Sequence, residues 1–451
     1  MDIKEYIELN LDDIKKDLAS LVSYNSIFKE DAEPFGSENR KVLEKALQLM
    51  QEKGLKTTNL DYYCGYGEAG DGKKLIGIVA HLDVVPAGSD GWDNDPFKMI
   101  EKDGYLYGRG VSDDKGAAVA SMYALKYLID EGYMFNSRVR LILGCNEETG
   151  SLCIRHYVKN DEPIDYGFTP DGNFPGIYAE KGMIGGKVIG HNSKIIDIDG
   201  GEASNVVCKK CVAKLPLNSF NEDKLKQYLD DNDIKYDIQK DDVVTLTTYG
   251  IAAHASTPDL GVNAINHMLE GLYQSDFNDS FTDFFHRSFA TTLHGELLGY
   301  KEVEDDITNT SINFGVAKKR GDDIIISLDM RFPVKSNSEI CYKLLEQCED
   351  DENEFALSSK VEPLFFDINS PMIKSLKKAY EDVTGDHETQ MDAIGGGTYA
   401  KAIKNCIAFG CEFQNEDNHI HDANERLNIE SLKKQIEIYV EAIKNLDKIE
   451  D

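Results

Sequence analysis

The sequence predicts an α/β fold: a domain with a mostly parallel sheet flanked by helices, interrupted by an inserted α+β domain. Three observations predict it. Short continuous apolar runs alternate with helical patterns through the first third of the chain. Strands of alternating polarity take over from about residue 181 to 365, and the first pattern returns over 366–451. Strand–helix alternation of the first kind implies βαβ units, whose crossovers put helices on both faces of a parallel sheet. The expected organisation is one domain in two parts, 1–180 and 366–451, with 181–365 inserted.

In order, residues 75–80 (LIGIVA) form a buried strand, because a short apolar run without polar alternation needs cover on both sides. Residues 115–130 carry Val119, Met122, Tyr123, Leu125, Leu128 and Ile129 at helical spacing, closed by Gly132. Residues 138–144 (RVRLILG) read as a strand and 151–158 as a helix. In the insertion, 243–249 and 324–330 read as strands, 222–231 and 262–272 as helices, with acid-rich breaks at 302–306 and 349–354. Then 370–383 is helical, 406–410 (CIAFG) a strand, and 429–446 the closing helix.

Composition narrows the function. With 451 residues, 81 Asp+Glu and 49 Lys+Arg, the net charge is −32. A nucleic-acid partner needs clustered Lys and Arg, and so does an anionic membrane surface, so neither is expected. No segment reaches the ~20 apolar residues of a membrane span, and the charged start MDIKEYIELNLDDIKKDL lacks a secretory h-region. The nine scattered cysteines suit reduced thiols in a cytoplasm. Cys208-x-x-Cys211 has no second pair at zinc-ribbon spacing.

Acids and histidines stand where the strands end. LIGIVA runs into His81-Leu82-Asp83, and RVRLILG into Cys145-Asn146-Glu147-Glu148. Tyr166-Gly167-Phe168 leads to Asp171, and CIAFG, after an acidic loop, to His419-Ile420-His421. Asp113, in GRGVSDDKG, sits where the chain turns into the long helix; a plain N-cap is its alternative. If the strands are neighbours, these groups meet at one rim. Gathered without a cation they would repel one another. Zinc, manganese or cobalt fits a donor set of histidine and carboxylate. His81, Asp113, Glu148, Asp171 and His421 exceed one tetrahedral site, which suggests two ions sharing Asp113 and a bridging water. Asp83 is placed to accept the second ring N–H of His81. Glu147 is left without a metal and reads as the general base of a metal-assisted amide hydrolysis.

The matching stretches are HLDVVPAGSDGWDNDPF, GRGVSDDKG, CNEETG, TPDG, AAHASTPDLGVNA, GGGTYA and HDANE, which span nearly the whole chain. With them the sequence resembles the dinuclear zinc family that includes carboxypeptidase G, acetylornithine deacetylase, aminoacylase and the PepV-like dipeptidases. The length, W-x-x-D-P-F and GGGTYA point to the PepV-like branch. The resemblance implies a cis Asp113–Asp114 peptide, one ion on His81 and Asp171, and the other on Glu148 and His421. It implies His254 as an oxyanion donor on an inserted lid domain. Arg331 and Asn205 would hold the substrate's C-terminal carboxylate, and Gly395, Gly396 and Gly397 would bring backbone N–H groups close to the substrate. Val207 departs from the family's usual proline near Asn205. His419 is the rival of His421, whose spacing to Asn424-Glu425 is the better match. His156, His191, His267, His286, His294 and His387 have no such context. The implied protein is a monomeric cytoplasmic dipeptidase acting on a small peptide. An N-acyl amino acid deacylase is the alternative, and a non-catalytic metal-binding relative the remote one.

Overall fold

A computed structural model describes residues 1–88, 90–300 and 309–450; the acid-rich stretch at 302–306 lies outside the described residues. The chain divides into two compact units. The first comprises Met1–Tyr178, Phe366–Asp392 and Gly397–Asp451, and the second Ala179–Phe365 with Ala393–Gly396.

The sheet of the first unit runs Lys56–Leu60, Cys64–Ala69, Arg138–Gly144, Leu75–His81, Tyr166–Thr169, Cys406–Ala408. The first two strands pair antiparallel with their neighbours, and the last four are mutually parallel. Every residue of Leu75–His81 is buried, which is why it reads as an unbroken apolar run. Both faces are covered. Gly65 and Gly67 offer bare backbone to Leu47 and Met50 of the helix Ser37–Glu52. Tyr66, out of phase with both, meets Tyr157 of the helix Leu152–Asn160 edge-on. Successive strand residues point to opposite faces, so these helices lie on opposite sides. Lys115–Asp130 packs against Ile3–Val22 and Ile429–Leu446, and the latter against Pro371–Thr384. Asn428 caps the closing helix by accepting from the N–H groups of Glu430 and Ser431.

The second unit is an antiparallel sheet: Tyr236–Lys240, Val244–Tyr249, Lys210–Leu215, Asp197–Gly200, Ala317–Arg320, Asp323–Phe332, Gly182–Gly190, Asn353–Val361. Its strands alternate, as the sequence pattern does. Ile324, Ile326, Leu328, Met330 and Phe332 enter a core shared with the helices Ala264–Gln274 and Ser280–Ser288. Asp329 and Arg331 therefore lie on the other face.

Candidate metal centre

Arg138–Gly144, Leu75–His81, Tyr166–Thr169 and Cys406–Ala408 are neighbours running one way, so their carboxyl ends share one edge. His81 is itself the last residue of its strand, Glu147 and Glu148 follow Gly144, and Asp171 follows Thr169. Asp113 lies just ahead of the helix Lys115–Asp130; Asp114, not Asp113, holds the cap position, and it makes no side-chain cap. The Asp113–Asp114 peptide is cis.

The groups converge. His81 Nε2 lies 2.9 Å from Asp113 Oδ1 and 3.9 Å from Asp171 Oδ2. His421 Nε2 lies 2.9 Å from Asp113 Oδ2 and 3.3 Å from Glu148 Oε2. Each oxygen of Asp113 thus faces its own histidine, with one further carboxylate beside each. Donor atoms of His81, Glu147 and Asp171 also fall within 4.8 Å of one another. His419 turns away, with Nε2 3.1 Å from Asp417 and Nδ1 3.3 Å from the Ala423 carbonyl.

The electrostatics are those of crowded acids. Burial, then the charge of Asp113, pushes Asp171 up to about 7. Burial, then the charge of Asp171, holds Glu147 well above the carboxylate range. Hydrogen bonds to Asp113 and Glu148 lift His421 to about 10. Burial alone would raise Asp113, but hydrogen bonds from His421 and His81 outweigh it and hold the carboxyl low. Protons here balance charge that a cation would balance better. Two imidazoles and three carboxylates with no thiolate fit a pair of zinc, manganese or cobalt ions.

Asp83 has two sets of partners. The ring nitrogen Nδ1 of His81 is 3.0 Å from the backbone carbonyl of Asp83, and the Asp83 carboxylate is farther, at 3.5 Å. That carboxylate also accepts the backbone N–H groups of Glu147 and Glu148 at 3.0 and 3.1 Å. Register explains these bonds: His81 pairs with Gly144, so Asp83 arrives beside the 147–148 turn. Asp83 thus orients the loop bearing Glu147 and Glu148.

The remaining predicted residues divide between the units, with Gly397 in the first and His254, Asn205, Arg331, Gly395 and Gly396 in the second. His254 Nδ1 accepts the Ser256 N–H at 3.2 Å and lies 2.7 Å from Ser256 Oγ. In a neutral ring the proton is then on Nε2, leaving a donor. Surrounding protein, then the Arg331 charge, lowers the pKa of His254 and keeps it neutral. Arg331 spends three N–H groups, two on Asp329 at 2.6 and 2.9 Å and one on the Gly395 carbonyl at 2.9 Å. Asn205, Asp329, Arg331 and Ser359 line a cavity of about 530 Å³. Gly395 must be glycine for packing, because a Cβ there would sit 2.3 Å from Ser256 Cβ.

Residues 77–445 match the family described as "Peptidase family M20/M25/M40". The chain belongs to that family. Family membership makes it a hydrolase of peptide bonds. It is 32% identical over 457 residues to the Bacillus subtilis protein named "Putative dipeptidase YtjP", covering 97% of this chain and 98% of that one. The solved structure of human carnosine dipeptidase 1 has the same fold at TM-score 0.61 and 16% identity, over 99% of this chain and 98% of that one. Bacillus subtilis YXEP, described as a dinuclear metal binding peptidase of family M20, matches at TM-score 0.51 and 11% identity, over 97% and 98%.

Two further buried residues stand beside these groups. Tyr399 is fully buried, with its ring edge-on to His81 at 6.0 Å and its hydroxyl 3.0 Å from Cys153 Sγ. Glu425, also fully buried, organises the Asp113 loop. The motifs GGGTYA and HDANE contained both, but nothing in their spacing separates a scaffold residue from its neighbours. Cys208 and Cys211 of the C-x-x-C are buried, free thiols of the second unit. Among the described residues no helix is long and apolar enough to cross a membrane.

Proposed function

We propose that the chain hydrolyses the amide bond of dipeptides or short peptides carrying a free C-terminal carboxylate, in a cytoplasm and as a monomer. The observation carrying the reading is Asp113, whose two oxygens face His81 and His421 separately, with Asp171 and Glu148 beside them. Those five residues would hold two divalent ions, zinc first among the candidates. Bound there, the ions would supply Lewis acidity to a shared water and to the scissile carbonyl.

The chain's own groups do the rest. Glu147, beside His81 and Asp171, takes the proton of the attacking water and returns it to the leaving amine. Asp83 fixes that turn through its two N–H bonds. His254 offers Nε2–H to the oxyanion that forms as the carbonyl is attacked. Arg331, with two N–H donors beyond those it spends, takes the substrate carboxylate together with Asn205, and Gly395 to Gly397 line its path. Closure of the second unit as a lid would complete the site.

The test is a panel of dipeptides set against N-acetyl and N-succinyl amino acids, with zinc-, manganese- and cobalt-supplemented protein. Dipeptide turnover well above acyl turnover is expected. The reverse order would make the protein a deacylase, and no turnover of either would leave a metal-binding relative.

A further inference from the structure

The loop that carries His421 ends in Asn424-Glu425, and both side chains hold other segments. The Glu425 side chain is 1% exposed and surrounded by donors. Its Oε1 accepts the N–H groups of Ser112 and Asp113 at 2.9 and 3.1 Å. Its Oε2 accepts the Gly110 N–H at 2.9 Å and Arg109 Nη1 at 2.8 Å. The backbone joins in, since Gly108 N–H donates to the Glu425 carbonyl at 3.0 Å. Asn424 reaches the other way, accepting from Asp93 N–H at 2.9 Å and donating to the Gly91 carbonyl at 3.0 Å. A carboxylate with three backbone N–H groups and a buried guanidinium has its acceptor sites filled by one loop. That loop delivers Asp113 to His421, four residues back along the chain from Glu425 and 2.9 Å from Asp113.

We infer that Glu425 is a positioning residue that sets the Asp113 carboxylate against the His421 loop and thereby tunes how tightly the centre holds its cations. The inference rests on the reading of Asp113 and His421 as ligands. No other side chain here could replace it: an amide in its place keeps the Ser112 and Asp113 bonds but turns a donor toward Gly110 N–H or Arg109. A partner behind the ligands is typically worth 10–100-fold in metal affinity.

The test uses zinc alone, measured on metal-free full-length protein by competition with a chromophoric chelator, alongside circular dichroism and the visible spectrum of the cobalt form. The parent is expected to bind two zinc ions. Glu425→Gln, still folded, is expected to bind at least one of them about 10–100-fold more weakly and to shift the cobalt bands. Arg109→Met, which spares the three backbone bonds, is expected to stay within a few-fold of the parent. Parent-like affinity in Glu425→Gln, or equal losses in both variants, overturns the inference while leaving the metal centre standing. If Glu425→Gln does not fold, Glu425→Asp decides the matter, because its carboxylate is one methylene short; weakened zinc supports the inference and parent-like zinc overturns it. A parent that binds no zinc overturns the metal centre itself, and this inference with it.

Discussion

At Asp113 each oxygen has its own histidine, and that pairing dictates what protons do when a cation enters. With His421 at about 10, its ring is protonated at neutral pH before metal arrives, and Asp171 at about 7 is half protonated. Entering ions must displace those protons. Apparent affinity should therefore climb as pH rises from about 7 toward about 10, and weaken further below about 7. Titration calorimetry at pH 7 in buffers of different ionisation enthalpy should show more than one proton released per chain. Glu147→Ala should retain both ions by elemental analysis and lose about 10²–10⁴ in kcat. His254→Ala should also keep the metal and lose about 10²–10³ in kcat. His81, Glu148 and Asp171 were legible as candidate ligands because each closely follows an apolar strand, while Asp113 precedes a helix and His421 lies beyond a loop. The bonds from Asp83 to the 147–148 turn were not legible, because they depend on which strand lies alongside and in what register, and one sequence does not show that pairing.

Strands and helices carry those residues to their places, and tight spots between elements are where the fold is least forgiving. A Cβ at Gly144 would lie 2.2 Å from the Tyr399 hydroxyl and 2.9 Å from Cys153 Sγ. Tyr399 is fully buried and has nowhere to retreat. Gly144→Ala should destabilise the protein by about 1–3 kcal/mol, seen as a lower urea midpoint at unchanged m-value. The helices 115–130, 222–231 and 429–446 were legible to the residue from their amphipathic spacing, and Asn221 and Asn428 cap the start of the last two. The strand expected at 406–410 stops at Ala408, where the chain turns to bring Glu412 N–H to the Gly172 carbonyl. The segment Ala393–Gly396 falls within the stretch 366–451 expected to close the first domain, yet it clusters with the second unit. Its attachment runs through backbone atoms, with Lys181 N–H on the Ile394 carbonyl and Arg331 on that of Gly395, and backbone contacts leave no trace in residue type.

Across the whole molecule, His81, Asp113, Glu147, Glu148, Asp171 and His421 lie in the first unit, and His254, Asn205 and Arg331 in the second. Chelation should therefore be felt unequally. Hydrogen exchange is expected to accelerate in segments 75–178 and 397–446 when the metal is stripped, with the strands of 182–361 barely changed. The proposed lid motion predicts a smaller radius of gyration by solution scattering when a non-hydrolysable dipeptide analogue is added. Identical curves would count against it. The interleaving of the units also sets a timetable during synthesis. All of the second unit except Ala393–Gly396 has left the ribosome before the Cys406–Ala408 strand, His421 or the Ile429–Leu446 helix exists. The main body of the second unit can thus be synthesised while the strand and the histidine that complete the edge of the first unit's sheet are still to come.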